Sequence, residues 1–264
     1  QTSPKPLNPF IMASTSETGH AKNVANLEDL ISFCIGYGAS YQPSKVAIQI
    51  LTLNTLLANA QGSLSGVNIS KTAFINATNT RQLAFEPLKK LSTRIVNALD
   101  ATDATDKLVK DAQTINRKIQ GKRAGDKTKP APTPIPPVPP IPTPTPEDKS
   151  ISVSQLSYDS LIDHFDKLIT LVSSEPTYTP NETDLQVSTL QTLLGTLKAT
   201  NTAVVNAYTN YSNSRITRDS ILYTDISGLV DIALEVKKYV KSVFGASSPQ
   251  YKQVSGLQFK RPKK

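Results

Sequence analysis

The chain has 264 residues, enough for one or two domains with hydrophobic cores. Hydrophobic residues make up 38% and aromatic residues 6%, a lean composition that nevertheless differs from that of a wholly disordered chain. The net charge of +8, most of it before Pro130, allows acidic partners. A single cysteine, Cys34, excludes an internal disulfide framework and a cysteine-rich zinc site. No apolar run is long enough for a transmembrane helix.

The beginning of the chain leaves two interpretations of its location open. Residues 1–11 lack the charged-then-apolar order of a signal peptide. Met12 is one candidate native start, which favours a cytoplasmic location. Removal of a signal peptide before Gln1 is the alternative.

The first predicted helix follows an N-terminal tail. Residues 1–22 are rich in Pro, Ser, Thr and Asn without periodicity, so we expect them to be disordered or extended. Asn23–Tyr37 then has apolar residues at helical spacing, and Gly36 and Gly38 stop the pattern. This predicts a short amphipathic helix.

One stretch of sequence occurs twice. Tyr41–Leu57 reads YQPSKVAIQILTLNTLL, and Tyr178–Leu194 reads YTPNETDLQVSTLQTLL. The register then holds without a gap to Phe85 in the first copy and to Leu222 in the second. We therefore predict an internal duplication of a helical unit.

Each copy contains one long predicted helix. Pro43 opens the first at a position where a missing N–H costs nothing, and a heptad seam typical of coiled coils runs on to Phe85. The second runs from Pro180 to Leu222. Gly62 and Gly66 weaken the first helix by about 1 kcal/mol each relative to Ala. A break near Gly62, giving a more compact four-helix bundle, is the alternative to one continuous helix.

The remaining elements complete an all-α fold of two related helical-bundle units. Further helices are predicted at Leu88–Ala98, Asp103–Gln120, Ser154–Ser173 and Ile226–Val243, with a brief last turn capped by Ser248-Pro249. The predicted division is an N-terminal tail (1–22), unit 1 (23–125), a Pro-rich linker (126–150), unit 2 (151–258) and a basic tail (259–264).

The linker has a distinctive composition. Residues 130–146 read PAPTPIPPVPPIPTPTP, which predicts polyproline II because proline fixes φ and donates no hydrogen bond. We interpret it as a semi-rigid spacer between the two units. A docking site for a proline-binding domain is the alternative.

Polar residues recur at matching positions of the two copies. Asn76 and Arg81 in the first correspond to Asn213 and Arg218 in the second. We interpret them as structural groups that fix register or satisfy the turn that ends the long helix. An anion or partner site that is formed twice is the alternative.

Each unit also ends in a positive segment. The candidate contacts to an acidic partner are Arg117, Lys118, Lys122, Arg123, Lys260, Arg261, Lys263 and Lys264. Clustered cations bind phosphate or acidic surfaces, but cations near a helix C-terminus also favour the helix dipole. Aromatic residues are not interleaved as a base-stacking surface requires.

No pattern indicates an enzyme. His20 and His164 have no carboxylate at a metal-ligand spacing, and Cys34 lies on an apolar stripe typical of a buried residue. We therefore predict no catalytic residue, no metal, no cofactor and no small-molecule ligand.

Two further stretches are similar to a protein family. TSETGHAKNVANLEDLISF near the start and VKSVFGASSPQYKQVSGLQF near the end resemble uncharacterised helical proteins of Bacteroidetes-type bacteria. The resemblance covers both units and implies a bacterial protein that begins at Met12. It implies no activity.

The sequence favours a non-enzymatic helical structural or interaction protein. Two similar units suit bivalent binding, packing on each other or self-assembly, with a protein partner or a second copy as the ligand. A binder of acidic partners, nucleic acid first, is the alternative. A membrane-active toxin would need an apolar hairpin, which the sequence lacks.

Overall fold

The protein is all-α over the residues that the computed structural model describes, which are 17–121 and 156–262. The α-helices in these ranges are α1 (Glu17–Gly36), α2 (Ile50–Phe85), α3 (Leu88–Asp100), α4 (Asp106–Gln120), α5 (Tyr158–Ser173), α6 (Val187–Tyr223), α7 (Leu229–Phe244) and α8 (Pro249–Ser255). No strand occurs in these two ranges, so the all-α part of the predicted fold class is confirmed. The predicted linker, 126–150, lies outside the described residues.

The two long helices are continuous. Helix α2 has 36 residues and α6 has 37. Gly62 and Gly66 therefore do not break α2, and the alternative of a break near Gly62 is wrong. A single glycine costs only about 1 kcal/mol in a helix, which the packing of the opposite face can offset.

Both long helices begin later than predicted. Pro43 and Pro180 lie in irregular segments, and short 3-10 segments at Val46–Ile48 and Thr183–Leu185 precede the α-helices. The buried Tyr41 hydroxyl donates a 2.7 Å hydrogen bond to the Ile48 carbonyl, and the buried Tyr178 hydroxyl donates a 3.0 Å bond to the Leu185 carbonyl. Each tyrosine thus satisfies a carbonyl that the following helix does not use.

The shorter helices differ from the predictions mainly at their starts. Helix α1 extends back to Glu17, because His20 is buried and its Nδ1 lies 2.7 Å from the Tyr223 hydroxyl. Helix α7 begins only at Leu229. Ile226 lies before it in the left-handed region, at φ 70°, which is strained for a β-branched residue. Ser248 caps α8 through the Tyr251 N–H, as predicted.

The chain forms two compact units, and each contains segments from both sides of the linker. Unit 1 comprises the residues up to Phe74 together with those from Ala207 onwards. Unit 2 comprises Ile75–Asn206. The predicted ranges 23–125 and 151–258 instead grouped consecutive residues. The difference arises because both long helices contribute one part to each unit.

Unit 1 has a core of side chains from α1, the first part of α2, α7 and α8. Leu30, Leu53, Val236 and Val254 have no exposed surface. Helix α1 packs against α7 and α8, so an N-terminal helix covers the last helices of the chain. This packing brings α1 close to the C-terminal residues that follow α8.

Unit 2 has a core of side chains from α3, α4, α5 and the first part of α6. Ile95, Ile119, Phe165 and Leu190 are fully buried. Helix α4 packs against both α3 and α5. It begins at the cap residue Thr105, whose side chain accepts from the Leu108 N–H, and ends at Gly121 in the left-handed region.

Candidate interaction surfaces

The side of α2 that faces solvent in unit 1 is apolar at both ends and free of charge. Leu51 is 81% exposed and Ile69 is 69% exposed, although both are large apolar residues. No charged residue occurs in α2 between Ile50 and Ser70. The exposed residues at heptad spacing, called the outer face here, are Leu51, Thr55, Ala58, Gly62, Ser65 and Ile69.

The middle of the outer face is made of small residues. A Cβ atom added at Gly62 would meet nothing within 4 Å. Packing within the chain therefore does not require glycine at this position, although glycine weakens a helix interior. The Thr55 hydroxyl donates to the Leu51 carbonyl at 3.1 Å, so it is already satisfied within the helix. The outer face thus offers a flat surface that needs few polar partners.

The corresponding side of α6 in unit 2 also has small, uncharged residues in its middle but lacks the apolar ends. Ser188 and Asn206 stand where α2 has Leu51 and Ile69, and both are exposed. Gly195 lies between them, and an added Cβ there would also meet nothing within 4 Å. Only unit 1 therefore carries a face with exposed large apolar side chains at this position.

The C-terminal segment, defined as Gly256–Arg261, is an integral part of unit 1. Phe259 packs against its core. The Asn23 side chain accepts from the Lys260 N–H at 3.0 Å and donates to its carbonyl at 2.8 Å. The expectation of a separate basic tail from residue 259 is therefore wrong for the described residues up to 261. Side-chain amides of α1 take the place of a β-sheet partner for this main chain.

Arg261 is largely engaged within unit 1. Its Nη2 lies 2.9 Å from the Asp231 carboxylate and 3.0 Å from the Asp225 carboxylate, and its Nη1 donates to the Tyr223 carbonyl at 2.5 Å. These contacts raise the pKa of Arg261, chiefly through the Asp231 hydrogen bond. The Ile226 N–H and Arg261 lower the pKa of Asp231. Arg261 is thus poorly placed to contact an acidic partner.

The other predicted cations belong to both units or lie outside the described residues. Arg117 donates to the Thr114 hydroxyl at 2.6 Å within α4, whereas Lys118 and Lys260 are exposed. Lys122, Arg123, Lys263 and Lys264 lie outside the described residues.

The repeat-matched arginines have contacts inside their own units. The Arg81 guanidinium carbon lies 3.9 Å from the centre of the Tyr158 ring, and Nη1 donates to the Asn201 side chain at 2.9 Å. Arg218 is 1% exposed and bonds the Asp219 carboxylate through Nε at 2.9 Å and Nη2 at 2.7 Å. The matched asparagines, Asn76 and Asn213, are exposed.

Cys34 is buried, and burial raises the pKa of its thiol to about 12, so it keeps its proton at neutral pH. Across 17–121 and 156–262, no three His, Cys, Asp or Glu side chains form a group that could hold a metal ion. None of the helices in those ranges has the length and hydropathy needed to cross a bilayer.

His164 has an unusual environment that the sequence did not predict. Both ring nitrogens are buried in unit 2 and have no hydrogen-bond partner among the described residues. Burial lowers the pKa of His164, and the cations Lys118 and Lys167 add to that effect. Asp163, whose carboxylate lies 3.6 Å from Nδ1, opposes it.

No protein-family model, curated protein or solved structure matches this chain. The interpretation of its surfaces therefore rests on its own residues.

Proposed function

We propose that this is a non-enzymatic helical structural protein that self-associates through the outer face of α2. The observation that carries the proposal is the exposure of Leu51 and Ile69 at the two ends of a charge-free helix face. Interface centres are depleted in charged residues, and exposed apolar patches mark binding sites.

The outer face is complementary to itself. A two-fold axis at the level of residue 60 would place Leu51 of one copy against Ile69 of the other. The same axis pairs Thr55 with Ser65, and Ala58 with Gly62. Each pair matches residues of similar size and polarity, which an isologous contact requires.

The glycine also fits this pairing. Two helices approach each other more closely where their facing residues are small. Gly62 would lie near the axis, where a partner helix comes closest, which accounts for a residue that the chain's own packing does not need. A helix pair is smaller than the interface of a permanent dimer, so we expect association in the micromolar range.

We also propose that the chain arose by internal duplication, with the proline-rich stretch as a spacer. The paired Tyr41–Ile48 and Tyr178–Leu185 hydrogen bonds support the first part. Bivalent binding through two equal faces is not favoured, because Ser188 and Asn206 replace the apolar ends in the second copy.

The acidic-partner alternative has less support. Arg261 already has two carboxylate neighbours within unit 1. Binding to generic DNA and RNA over a salt titration tests it, because counterion release makes such affinity fall steeply with salt.

Charged substitutions on the outer face, of like sign in one variant and of opposite sign in a mixture of two variants, test self-association. Sedimentation velocity over micromolar to submillimolar concentrations should show a monomer–dimer equilibrium for the native chain. Leu51→Lys with Ile69→Lys should be monomeric, and so should Leu51→Glu with Ile69→Glu, because like charges would oppose each other. An equimolar mixture of the two variants should dimerise again.

The control is Val243→Lys in α7, where the native residue is 43% exposed. It should leave the equilibrium unchanged. A native chain that is monomeric throughout the range, or double variants that dimerise like the native chain, would refute the proposal.

A further inference from the structure

The C-terminal segment runs without regular secondary structure over side chains of α1 and α7, and the surface of unit 1 that holds it is called the groove here. The Gly256 and Leu257 N–H groups both bond the Val254 carbonyl and so connect the segment to α8. Its remaining described hydrogen bonds come from side chains of α1 and α7 and from the α6–α7 turn. The segment is therefore held as a bound peptide would be.

Two asparagines of α1 bind the main chain of the segment. Asn26 donates to the Gln258 carbonyl at 2.7 Å. Asn23 bonds both the N–H and the carbonyl of Lys260, at 3.0 and 2.8 Å. Asn26 is 9% exposed and Asn23 is 2% exposed when the segment is in place. Their hydrogen bonds to the segment therefore satisfy side-chain amides that water does not reach. These hydrogen bonds involve only main-chain atoms of residues 258 and 260, so they do not depend on the identity of those two residues.

A lysine of α7 binds the last residue of α8 and the beginning of the segment. Lys237 Nζ donates to the carbonyls of Ser255 and Leu257, at 2.9 and 2.8 Å. Two adjacent helices thus supply donors to alternate carbonyls, as a neighbouring strand does when a peptide adds to a sheet.

Side chains of the segment provide selectivity. Leu257 and Phe259 pack against the unit 1 core, whereas Arg261 bonds Asp231, Asp225 and the Tyr223 carbonyl. The groove therefore suits an extended peptide with two apolar residues two positions apart, followed by an arginine.

We propose that this groove is a peptide-binding site, and that it accepts the C-terminal segment of a second copy in exchange for its own. Apart from the bonds to Val254 and Ser255 of α8, none of the segment's contacts, which are those of residues 257–261 with α1, α7 and the α6–α7 turn, requires that the segment and the groove belong to the same chain. An exchange would preserve all of them, which is the condition for swapping an element between copies at low cost. This site is separate from the outer face of α2 and does not depend on it.

A labelled synthetic peptide of residues 256–264, GLQFKRPKK, tests the site directly. The native chain should bind it weakly, because its own segment competes at an effective concentration of about millimolar. Full-length variants whose own segment is held less tightly in the groove, called hosts here, should bind the peptide more tightly. The hosts are Arg261→Ala, and Phe259→Ala combined with Arg261→Ala. Fluorescence anisotropy gives the affinities, and circular dichroism checks that each host is folded.

The controls change the peptide and the groove separately. A peptide with Phe259→Ala should bind at least about tenfold more weakly, since it loses the side chain that enters the core. Adding Asn23→Ala and Asn26→Ala to a host should abolish binding. The Arg261→Ala host loses two ion pairs at the surface and one hydrogen bond to the Tyr223 carbonyl but no core side chain, so it keeps the test valid if the double variant does not fold.

Two outcomes would overturn the proposal. One is a folded Arg261→Ala host that does not bind the native peptide at millimolar concentration. The other is binding that persists with the Phe259→Ala peptide or with the asparagine variants, which would indicate non-specific attraction of a basic peptide. The peptide contains no part of α2, so failure of helix-face association would leave these measurements unchanged.

Discussion

Replacing Gly62 by Ala adds one methyl group to the outer face of α2. An added Cβ meets nothing within 4 Å in the chain, so the monomer accommodates it without strain. Alanine is favoured over glycine in a helix interior by about 0.8–1.0 kcal/mol. For a chain of this size, such a gain raises Tm by about 2–4 °C.

Association should change in the opposite direction. The methyl group of each copy would lie beside the proposed two-fold axis, opposite Ala58 of the other copy. Adding a methyl group to a close contact costs about 1–3 kcal/mol. The dimer contains two such methyl groups, at a total cost of at least about 2 kcal/mol, so we expect its dissociation constant to rise at least about thirtyfold.

Thermal unfolding at low concentration measures the first effect, and sedimentation equilibrium measures the second. Gly195→Ala in α6 is the matched control, because Gly195 also has open space around it but lies between Ser188 and Asn206. It should raise Tm by a similar amount without weakening the dimer. If Gly62→Ala stabilises the chain and leaves the dimer as tight as before, the close helix approach is refuted.

Two further predictions concern unit 2 and the division of the chain. Burial lowers the pKa of His164 below the value of about 6.5 for an unfolded chain, so the unfolded state binds more protons as pH falls. Stability present above pH about 6.5 is then lost as pH falls through and below that value. His164→Leu should reduce the fall in urea midpoint between about pH 8 and pH 5, and equal falls in both proteins would contradict this. Cutting the chain at a protease site placed within 126–150 should leave the two fragments associated, since each unit contains residues from both sides of the cut; their separate elution on size exclusion would show otherwise.

Local periodicity was sufficient to predict the helices. The apolar seam of α2 is buried at Leu53, Ala60 and Val67, as its heptad spacing indicates. The starts of the long helices were less predictable. Pro43 is as compatible with an irregular segment as with the first turn of a helix. The hydrogen bond from the Tyr41 hydroxyl to the Ile48 carbonyl decides between the two, and it joins residues seven apart.

The segments that make up each unit could not be predicted from the heptad pattern. A heptad seam shows which side of a helix is buried, but it does not show which other segment covers it. The position of Arg261 is a further example, because the carboxylates of Asp225 and Asp231 are distant in sequence. A cluster of cations at a chain end therefore resembled a solvated tail.

The sequence contains the residues of the outer face of α2 but does not show that they are exposed. Leu51 and Ile69 stand among small uncharged residues at heptad spacing, on the side opposite the seam. From the sequence alone, Gly62 indicates only a weakness of the helix. Its exposure, and the open space around it, came from the structure.

The discontinuous make-up of unit 1 affects the order in which a ribosome supplies its parts. All of unit 2 has been synthesised once Asn206 is added, whereas unit 1 still lacks everything from Ala207 onwards. At about 5–20 residues per second, that remainder takes several seconds. During this interval α1 and the first part of α2 have left the peptidyl-transferase centre without the helices that will cover them. The part of unit 1 that precedes unit 2 in the chain thus meets its packing partners only after unit 2 has been synthesised.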